Sequence, residues 1–103
     1  MELKKFFEID LNQKLASHPE ALANTSASYQ LNIGGEFFSL NLAKERKIYC
    51  AALDNADCSI QISKADFEKL VSGSLNIPLA LTFGKIKIKG DLLLFAKLRE
   101  LFK

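Results

Sequence analysis

Few residues in this sequence carry side chains that could do covalent or metal chemistry. Cysteine occurs twice, at Cys50 and Cys58, and histidine once, at His18. A metal site needs three or four ligands, and a nucleophilic thiol needs a histidine beside it, so a single histidine in a surface turn supports neither. Both cysteines lie in segments that alternate as strands do, which predicts reduced, buried thiols acting as small apolar side chains.

The carboxylates fall at predicted helix caps and turns. Asp66 and Asp91 lie where helices are predicted to begin, and Asp54 lies in a turn. The sequence contains no Ser/His/Asp set, no glycine loop that could bind phosphate and no cluster of metal ligands. We therefore expect no catalytic residues, no metal, no cofactor and no enzymatic activity.

The most regular pattern of charge is a row of lysines near the carboxyl end. Lys85, Lys87 and Lys89 alternate with Ile86 and Ile88, as on a strand with one wet and one buried face. Such lysines discourage pairing with another sheet edge, and they could also give weak contact with a membrane surface or acidic head groups. Because no aromatic side chain alternates with them to stack on bases, and the net charge is only +2, we expect no nucleic-acid partner.

Hydrophobic periodicity predicts a helix at the amino end. Leucine or phenylalanine recurs at residues 3, 7, 11 and 15, which gives one apolar face to a helix ending near Ser17. Ser17 followed three residues later by Glu20 is a capping-box pattern and predicts a short second helix through Ala23. Acidic residues interrupt every apolar stretch near the start, which argues against a signal peptide or a transmembrane span, so we expect a cytoplasmic protein.

From Ser28 onward the period is two, which predicts a sheet. The first two strands meet at Gly34-Gly35, a hairpin signal. A helix from Ser63 to Gly73 and a last helix beginning at Gly90-Asp91 have recognisable caps. The other predicted elements are a strand over 48–53, a strand over 58–62, a helical turn over 78–81 and the lysine strand.

Length and composition predict a single domain over residues 1–103. Hydrophobic residues make up 49% and charged residues 25% of the chain, the usual balance of a globular protein. Because each strand has one polar face, helices are needed on only one side of the sheet. We expect an α+β fold in which a five-stranded, mostly antiparallel sheet is solvated on one face and covered by helices on the other.

The last helix and the segment before the lysine strand carry more large apolar side chains than helix docking requires. At about 100° per residue, Leu92, Leu93 and Ala96 lie outside the arc that docks the helix on the sheet. The residues within this arc are Leu94, Phe95, Leu98, Leu101 and Phe102. The surplus could close the core, line a cavity for an apolar ligand, or form a dimer or partner surface. The residues predicted to line a ligand cavity are Leu75, Ile77, Leu79, Leu81, Phe83, Ile86, Ile88, Leu93, Leu94, Leu98, Leu101 and Phe102.

The stretch from residue 57 to residue 102 combines these features in a specific order. Its distinctive positions are Asp57, Ser63, Asp66, Phe67, Leu70, Gly73, Leu75, Asn76, Ala80 and the run from Gly84 to Asp91. This order resembles the second half of the sterol carrier protein type two domain, a family of intracellular lipid-binding modules. The looser matches HPE, ASYQLNI and EFFSLNL extend the resemblance over nearly the whole chain. Two departures are Ile77, where the family usually has proline, and Leu79 with Phe83, where its residues are commonly polar.

The resemblance implies a hydrophobic tunnel, between the sheet and its helices, that holds sterols, fatty acids, acyl-CoA or other lipids. Isolated domains of the family are not enzymes, and some bacterial relatives present isoprenoid intermediates to enzymes of ubiquinone synthesis. The ending LFK lacks the peroxisomal signal of eukaryotic members, which favours a stand-alone bacterial protein. We expect non-enzymatic lipid binding and transfer. The alternatives are a protein-interaction or dimerisation module and an accessory factor in ubiquinone synthesis.

Overall fold

The computed structural model describes residues 2–18, 22, 25–43 and 46–102. Its helical elements are α1 (Leu3–Lys5), a π-helical segment (Phe6–Leu11), α2 (Asn12–Ser17), α3 (Lys64–Ser72), α4 (Ile77–Thr82) and α5 (Leu92–Phe102). Its strands are β1 (Ser28–Ile33), β2 (Glu36–Asn41), β3 (Lys47–Tyr49), β4 (Cys58–Ile62) and β5 (Ile86–Gly90).

The amino-terminal helix keeps its apolar side chains on one face by changing its pitch. In an α-helix with 3.6 residues per turn, a strict four-residue repeat drifts around the axis by about 40° at each step. The wider turns of the π-helical segment offset this drift, and every member of the repeat from Leu3 to Leu15 is buried. The predicted helix is confirmed, including its end at Ser17.

The second predicted helix is wrong at the positions that the structure describes. Ser17 is the last residue of α2, and its hydroxyl donates to the carbonyl oxygen of Gln13 at 2.7 Å. Leu22 has a φ angle of 60°, a left-handed conformation that no right-handed helix through this position allows. The capping partner Glu20 and the predicted end at Ala23 lie outside the described residues.

The five strands form one sheet in the order β3-β2-β1-β4-β5. β1, β2 and β3 make an antiparallel meander, and β5 pairs antiparallel with β4 at the other edge. β1 and β4 pair in parallel, so the sheet is mostly antiparallel, as predicted. Gly34 and Gly35 form the β1–β2 turn with φ angles of 60° and 94°, and the Asn32 side chain accepts a hydrogen bond from the Gly35 amide.

The connection from β3 to β4 crosses the polar face of the sheet. The predicted third strand over 48–53 is shorter in the structure, because the chain leaves the sheet edge after Tyr49. β2 and β1 lie between β3 and β4, and the Leu53 amide donates to the side-chain oxygen of Gln30 on β1 at 2.7 Å. Ser39, the partner of Gln30 on β2, is buried. The solvated face of the sheet is therefore partly covered by this connection.

Helices and aromatic rings cover the opposite face and form the core. Phe7 stacks on Phe38 of β2 with ring centres 4.2 Å apart, and on Phe67 of α3 at 5.6 Å. Phe102, in the last turn of α5, meets the edge of Phe67 at 5.5 Å. These contacts join the amino-terminal helix, the sheet, α3 and α5, so the carboxyl end of α5 is firmly placed.

The caps of the last helices agree with the sequence. Ser63 Oγ accepts a hydrogen bond from the Asp66 amide at 3.1 Å and begins α3. Asp91 Oδ1 accepts one from the Leu93 amide at 2.9 Å and begins α5. The predicted turn over 78–81 is the centre of a longer helix, α4, because Asn76 caps it one residue before Ile77.

Candidate functional site

The predicted lipid-lining residues lie on α4, β5 and α5 and on the loop before α4, except Phe83, which directly follows α4. Both α4 and α5 pack against β5, and α5 also packs on β4. β5 is an edge strand, with Lys87 and Lys89 exposed and Ile86 buried on the opposite face. The predicted position of the lysine row at a sheet edge is confirmed.

Burial divides the twelve predicted residues into three groups. Four are buried in the core: Ile86, Leu98, Leu101 and Phe102. Five are half-buried and pack against the core: Leu75, Ile77, Leu81, Ile88 and Leu94. Three are exposed: Leu79, Phe83 and Leu93. α4 and α5, which carry most of these residues, both contact β5, and the lipid-binding role of all twelve stays a prediction.

We call the five half-buried residues the seam. Each of them contacts the buried core on one side and keeps part of its apolar surface accessible to solvent on the other. Apolar surface left in this condition releases water when a hydrocarbon covers it, which is favourable by roughly 25 cal/mol per Å². Covering the seam with hydrocarbon would therefore be favourable.

A cleft of about 310 Å³ opens between the end of α3 and the last turn of α5. Its apolar lining comes from Leu70, Val71 and Phe102, and its cation is Arg99. Leu70, Val71 and Arg99 are not among the site residues predicted from the sequence. Val71 is the residue whose position could have indicated this cleft. It follows Leu70 by about 100° around the helix and so lies at the margin of the face that α3 buries.

Tyr29 is a buried polar residue whose contact the sequence analysis missed. Its ring lies in the core on β1, and its hydroxyl donates to the carbonyl oxygen of Leu94 in the first turn of α5 at 2.9 Å. Burial, followed by the charges of Cys58, Asp91 and Asp57, raises the pKa of Tyr29 above its ordinary value of 10.0. The phenol therefore stays protonated and holds α5 on the sheet. Alternation along β1 shows that Tyr29 points inward, but it carries no signal for the distant carbonyl.

Both cysteines are free thiols. Burial, together with the charge of Asp91, raises the pKa of Cys58 to about 11. Cys50 is half-buried just after β3, so the prediction of a buried strand residue is wrong there. Burial and a hydrogen bond with Glu8 raise the pKa of Cys50. A thiol protonated at neutral pH is a poor nucleophile and a poor metal ligand.

No group of three or more histidine, cysteine, aspartate or glutamate side chains in the described part of the chain could hold a metal ion. Within the same residues, no helix has the length and apolar character needed to cross a membrane. The predicted His18 turn position agrees with its exposed side chain.

A sequence profile of the SCP-2 sterol transfer family matches residues 7–103. Hydroxysteroid dehydrogenase-like protein 2 from Bos taurus is 37% identical over 82 residues, which cover 75% of this chain and 20% of that protein. The chain thus spans about one fifth of the length of the curated relatives that it matches.

Solved structures share the fold. Sterol carrier protein 2 from Yarrowia lipolytica superposes with a TM-score of 0.76 at 21% identity, over 94% of this chain and 84% of that one. The ubiquinone synthesis protein UbiJ-SCP2 gives 0.70 at 16% identity, over 92% and 84%. Sterol carrier protein 2 of Aedes aegypti in complex with palmitate gives 0.63 at 17% identity, over 91% and 94%. These likenesses confirm the predicted α+β fold.

Proposed function

This chain belongs to the SCP-2 sterol transfer family, and we propose that it binds and transfers an apolar lipid without catalysing a reaction on it. The observation that carries the proposal is the seam, in which five apolar side chains on α4, β5, α5 and the loop before α4 lie half-buried against the core. The four buried residues of the predicted set, Ile86, Leu98, Leu101 and Phe102, belong to the core against which the seam packs. A lipid would lie between α4, β5 and α5.

The energy of such binding needs no polar anchor. Burying one methylene group gains about 0.8 kcal/mol, so a 16-carbon chain gains roughly 10 kcal/mol before ordering costs. Micromolar affinity corresponds to about 8 kcal/mol. A chain of this length can therefore bind usefully even if ordering costs a few kcal/mol.

Ligand entry requires the helices around β5 to yield, because Leu98 and Leu101 are completely buried. α5 is held at its first turn by the hydrogen bond from Tyr29 to Leu94 and at its last turn by aromatic rings, so entry beside the last turn would require the Phe102 ring to move. Phe102 lines the cleft between α3 and α5 and also belongs to the core. We propose that this cleft is the entrance, with Arg99 at its rim placed to pair with the carboxylate of a fatty acid.

Palmitate is the first ligand to test, because the similar protein of Aedes aegypti was solved with it. Native mass spectrometry of the purified protein with palmitate, a sterol and an isoprenoid quinone should show one ligand per chain for at least one of them. Organic extraction and mass spectrometry of copurifying lipids would identify the natural class. Clean spectra without ligand across the whole panel would overturn the proposal.

An accessory role in ubiquinone synthesis is a narrower form of the same proposal. Its support is the fold shared with UbiJ-SCP2. Preference for an isoprenoid quinone or its precursors over palmitate in the same panel would favour this role. Equal or weaker binding of the isoprenoids would argue against it.

A protein-interaction or dimerisation module is the second candidate. The observation that favours it is the exposure of neighbouring leucines in the first turn of α5, where Leu92 is 55% and Leu93 69% exposed. Exposed apolar pairs at a helix start can form part of a partner surface. Measurement of the molecular mass in solution separates this candidate from the first.

A further inference from the structure

An exposed apolar tip projects from α4. Phe83 is 71% exposed, the highest fraction of any large apolar side chain among the described residues, and Leu79 is 52% exposed. These two residues are four positions apart, and the Phe83 amide donates to the Leu79 carbonyl oxygen at 2.9 Å, so both side chains lie on one side of the last turn. Core packing does not account for either side chain.

Two lysines flank this tip. Lys69, Lys85, Leu79 and Phe83 line one cleft of about 240 Å³. The Lys85 amide donates to the Ala80 carbonyl oxygen at 2.8 Å, which fixes Lys85 immediately beyond the tip. The other described residues that line this cleft are uncharged: Ser74, Leu75, Asn76 and Ala80.

We propose that Leu79, Phe83, Lys69 and Lys85, which we call the α4 patch, dock the protein on an anionic lipid bilayer. This inference rests on the proposed function, since it supplies the surface through which a bound lipid leaves or enters a membrane. Phe83 and Leu79 insert at the boundary between head groups and acyl chains, while the two ammonium groups contact anionic head groups. Lys87 and Lys89, exposed further along β5, extend the positive charge beside the patch.

The size and composition of the α4 patch favour a bilayer over a second copy of the chain. A stable protein interface buries about 800 Å² on each partner, and its centre is depleted of charge. Two side chains can supply only a few hundred Å², even if both are fully covered. A bilayer requires no such area or shape complementarity, and lysine stems can lie along its surface with their charges in water.

Cosedimentation with vesicles tests the α4 patch. The probes are vesicles of phosphatidylcholine alone and of phosphatidylcholine with about 30% phosphatidylglycerol. We expect the protein to bind the anionic vesicles and to lose this binding as salt rises from about 0.1 M to about 0.5 M. Phe83→Ser should weaken it more than about fivefold, and the pair Lys69→Gln and Lys85→Gln more than about tenfold.

Leu92→Ser is the matched control for Leu79→Ser, because the two leucines are 55% and 52% exposed at different sites. We expect Leu79→Ser to weaken vesicle binding at least about threefold and Leu92→Ser to leave it within about twofold. Equal effects of the two variants, or equal binding to neutral and anionic vesicles, would overturn the proposal. So would patch variants that change only a dimer mass in light scattering.

Palmitate binding in solution, without vesicles, is measured in parallel on the wild-type protein and on the lysine variant. If palmitate binds but substitutions in the α4 patch leave vesicle binding unchanged, the proposed docking surface is wrong and the proposed function stands. If no lipid binds in solution while vesicle binding depends on the patch, the proposed function is wrong and the docking surface stands. Thermal unfolding confirms that each variant is folded before its vesicle binding is compared.

Discussion

Gly90 is the residue with the least tolerance for a side chain. Its φ angle is 101°, and a Cβ atom at this position would overlap the carbonyl oxygen of Asp57, the residue before the paired strand β4. Gly90→Ala combines an unfavourable backbone conformation with a collision at the start of α5, so we expect the free energy of unfolding to fall by about 2 to 5 kcal/mol. Urea denaturation measures the change.

Gly35→Ala is the control for this prediction, because Gly35 has a similar φ angle of 94° and no atom within 4 Å of the added Cβ. Gly35→Ala should lower the free energy of unfolding only through the unfavourable backbone conformation, by about 1 to 2 kcal/mol. If the two variants are equally destabilised, the close approach of Asp57 to Gly90 does not contribute to stability.

Cys58 should make stability depend on pH in the alkaline range. The unfolded thiol releases its proton near pH 9.0, whereas the folded thiol holds it to about 11. Between these values the unfolded state binds fewer protons, so the free energy of unfolding falls as pH rises. Cys58→Ala removes this contribution, and the stability difference between wild type and variant should therefore shrink from pH 9 to pH 11. A difference that stays constant in urea titrations across this window would contradict the raised pKa.

At the scale of elements, the buried face of α5 could be predicted from the sequence, because its apolar residues recur with the period of a helix. The predicted docking arc is buried at Phe95, Leu98 and Leu101, and the residues placed outside it, Leu92 and Leu93, are exposed. α4 could not be read in this way, because IPLALT is apolar on all sides and its period selects no face. Only the distance of α4 from its neighbours decides that Ala80 is buried and Leu79 exposed.

Local sequence patterns could not predict where β3 ends either. The segment 48–53 is as apolar as a strand, but the chain must leave the edge of the sheet there to reach β4 on the far side of β1. That route depends on which strands are neighbours, and on a hydrogen bond between Leu53 and Gln30 that spans 23 positions. The seam has the same origin, since half-burial results from the spacing of whole elements rather than from residue type.

α5 provides a matched test of the seam. Leu94 is half-buried against the core, and Leu92, two residues earlier on the same helix, is exposed. Leu94→Gln places a polar amide where the proposed lipid lies, so we expect palmitate affinity to fall at least about tenfold, or about 1.4 kcal/mol. Leu92→Gln should stay within about twofold. A fluorescence displacement titration gives both affinities, and equal losses would place the lipid elsewhere.

At the scale of the whole molecule, lipid transfer and self-association predict different masses. The chain weighs 11.5 kDa, and its exposed leucines in the first turn of α5 cover far less than the roughly 800 Å² per partner of a stable interface. We therefore expect light scattering to give the monomer mass from about 10 µM to about 1 mM, since only an associating chain shows a mass that rises with concentration.

If the mass does rise with concentration, Leu93→Glu tests whether the first turn of α5 is the interface. A carboxylate at a position that is 69% exposed does not disturb the core, but it would repel a second copy docked through this turn. Return to the monomer mass with Leu93→Glu, and not with Leu79→Glu on α4, would establish the α5 turn as an interface. The reverse result would assign self-association to α4 and compete directly with membrane docking. A monomer at every concentration leaves Leu79 and Phe83 free for the proposed contact with a membrane.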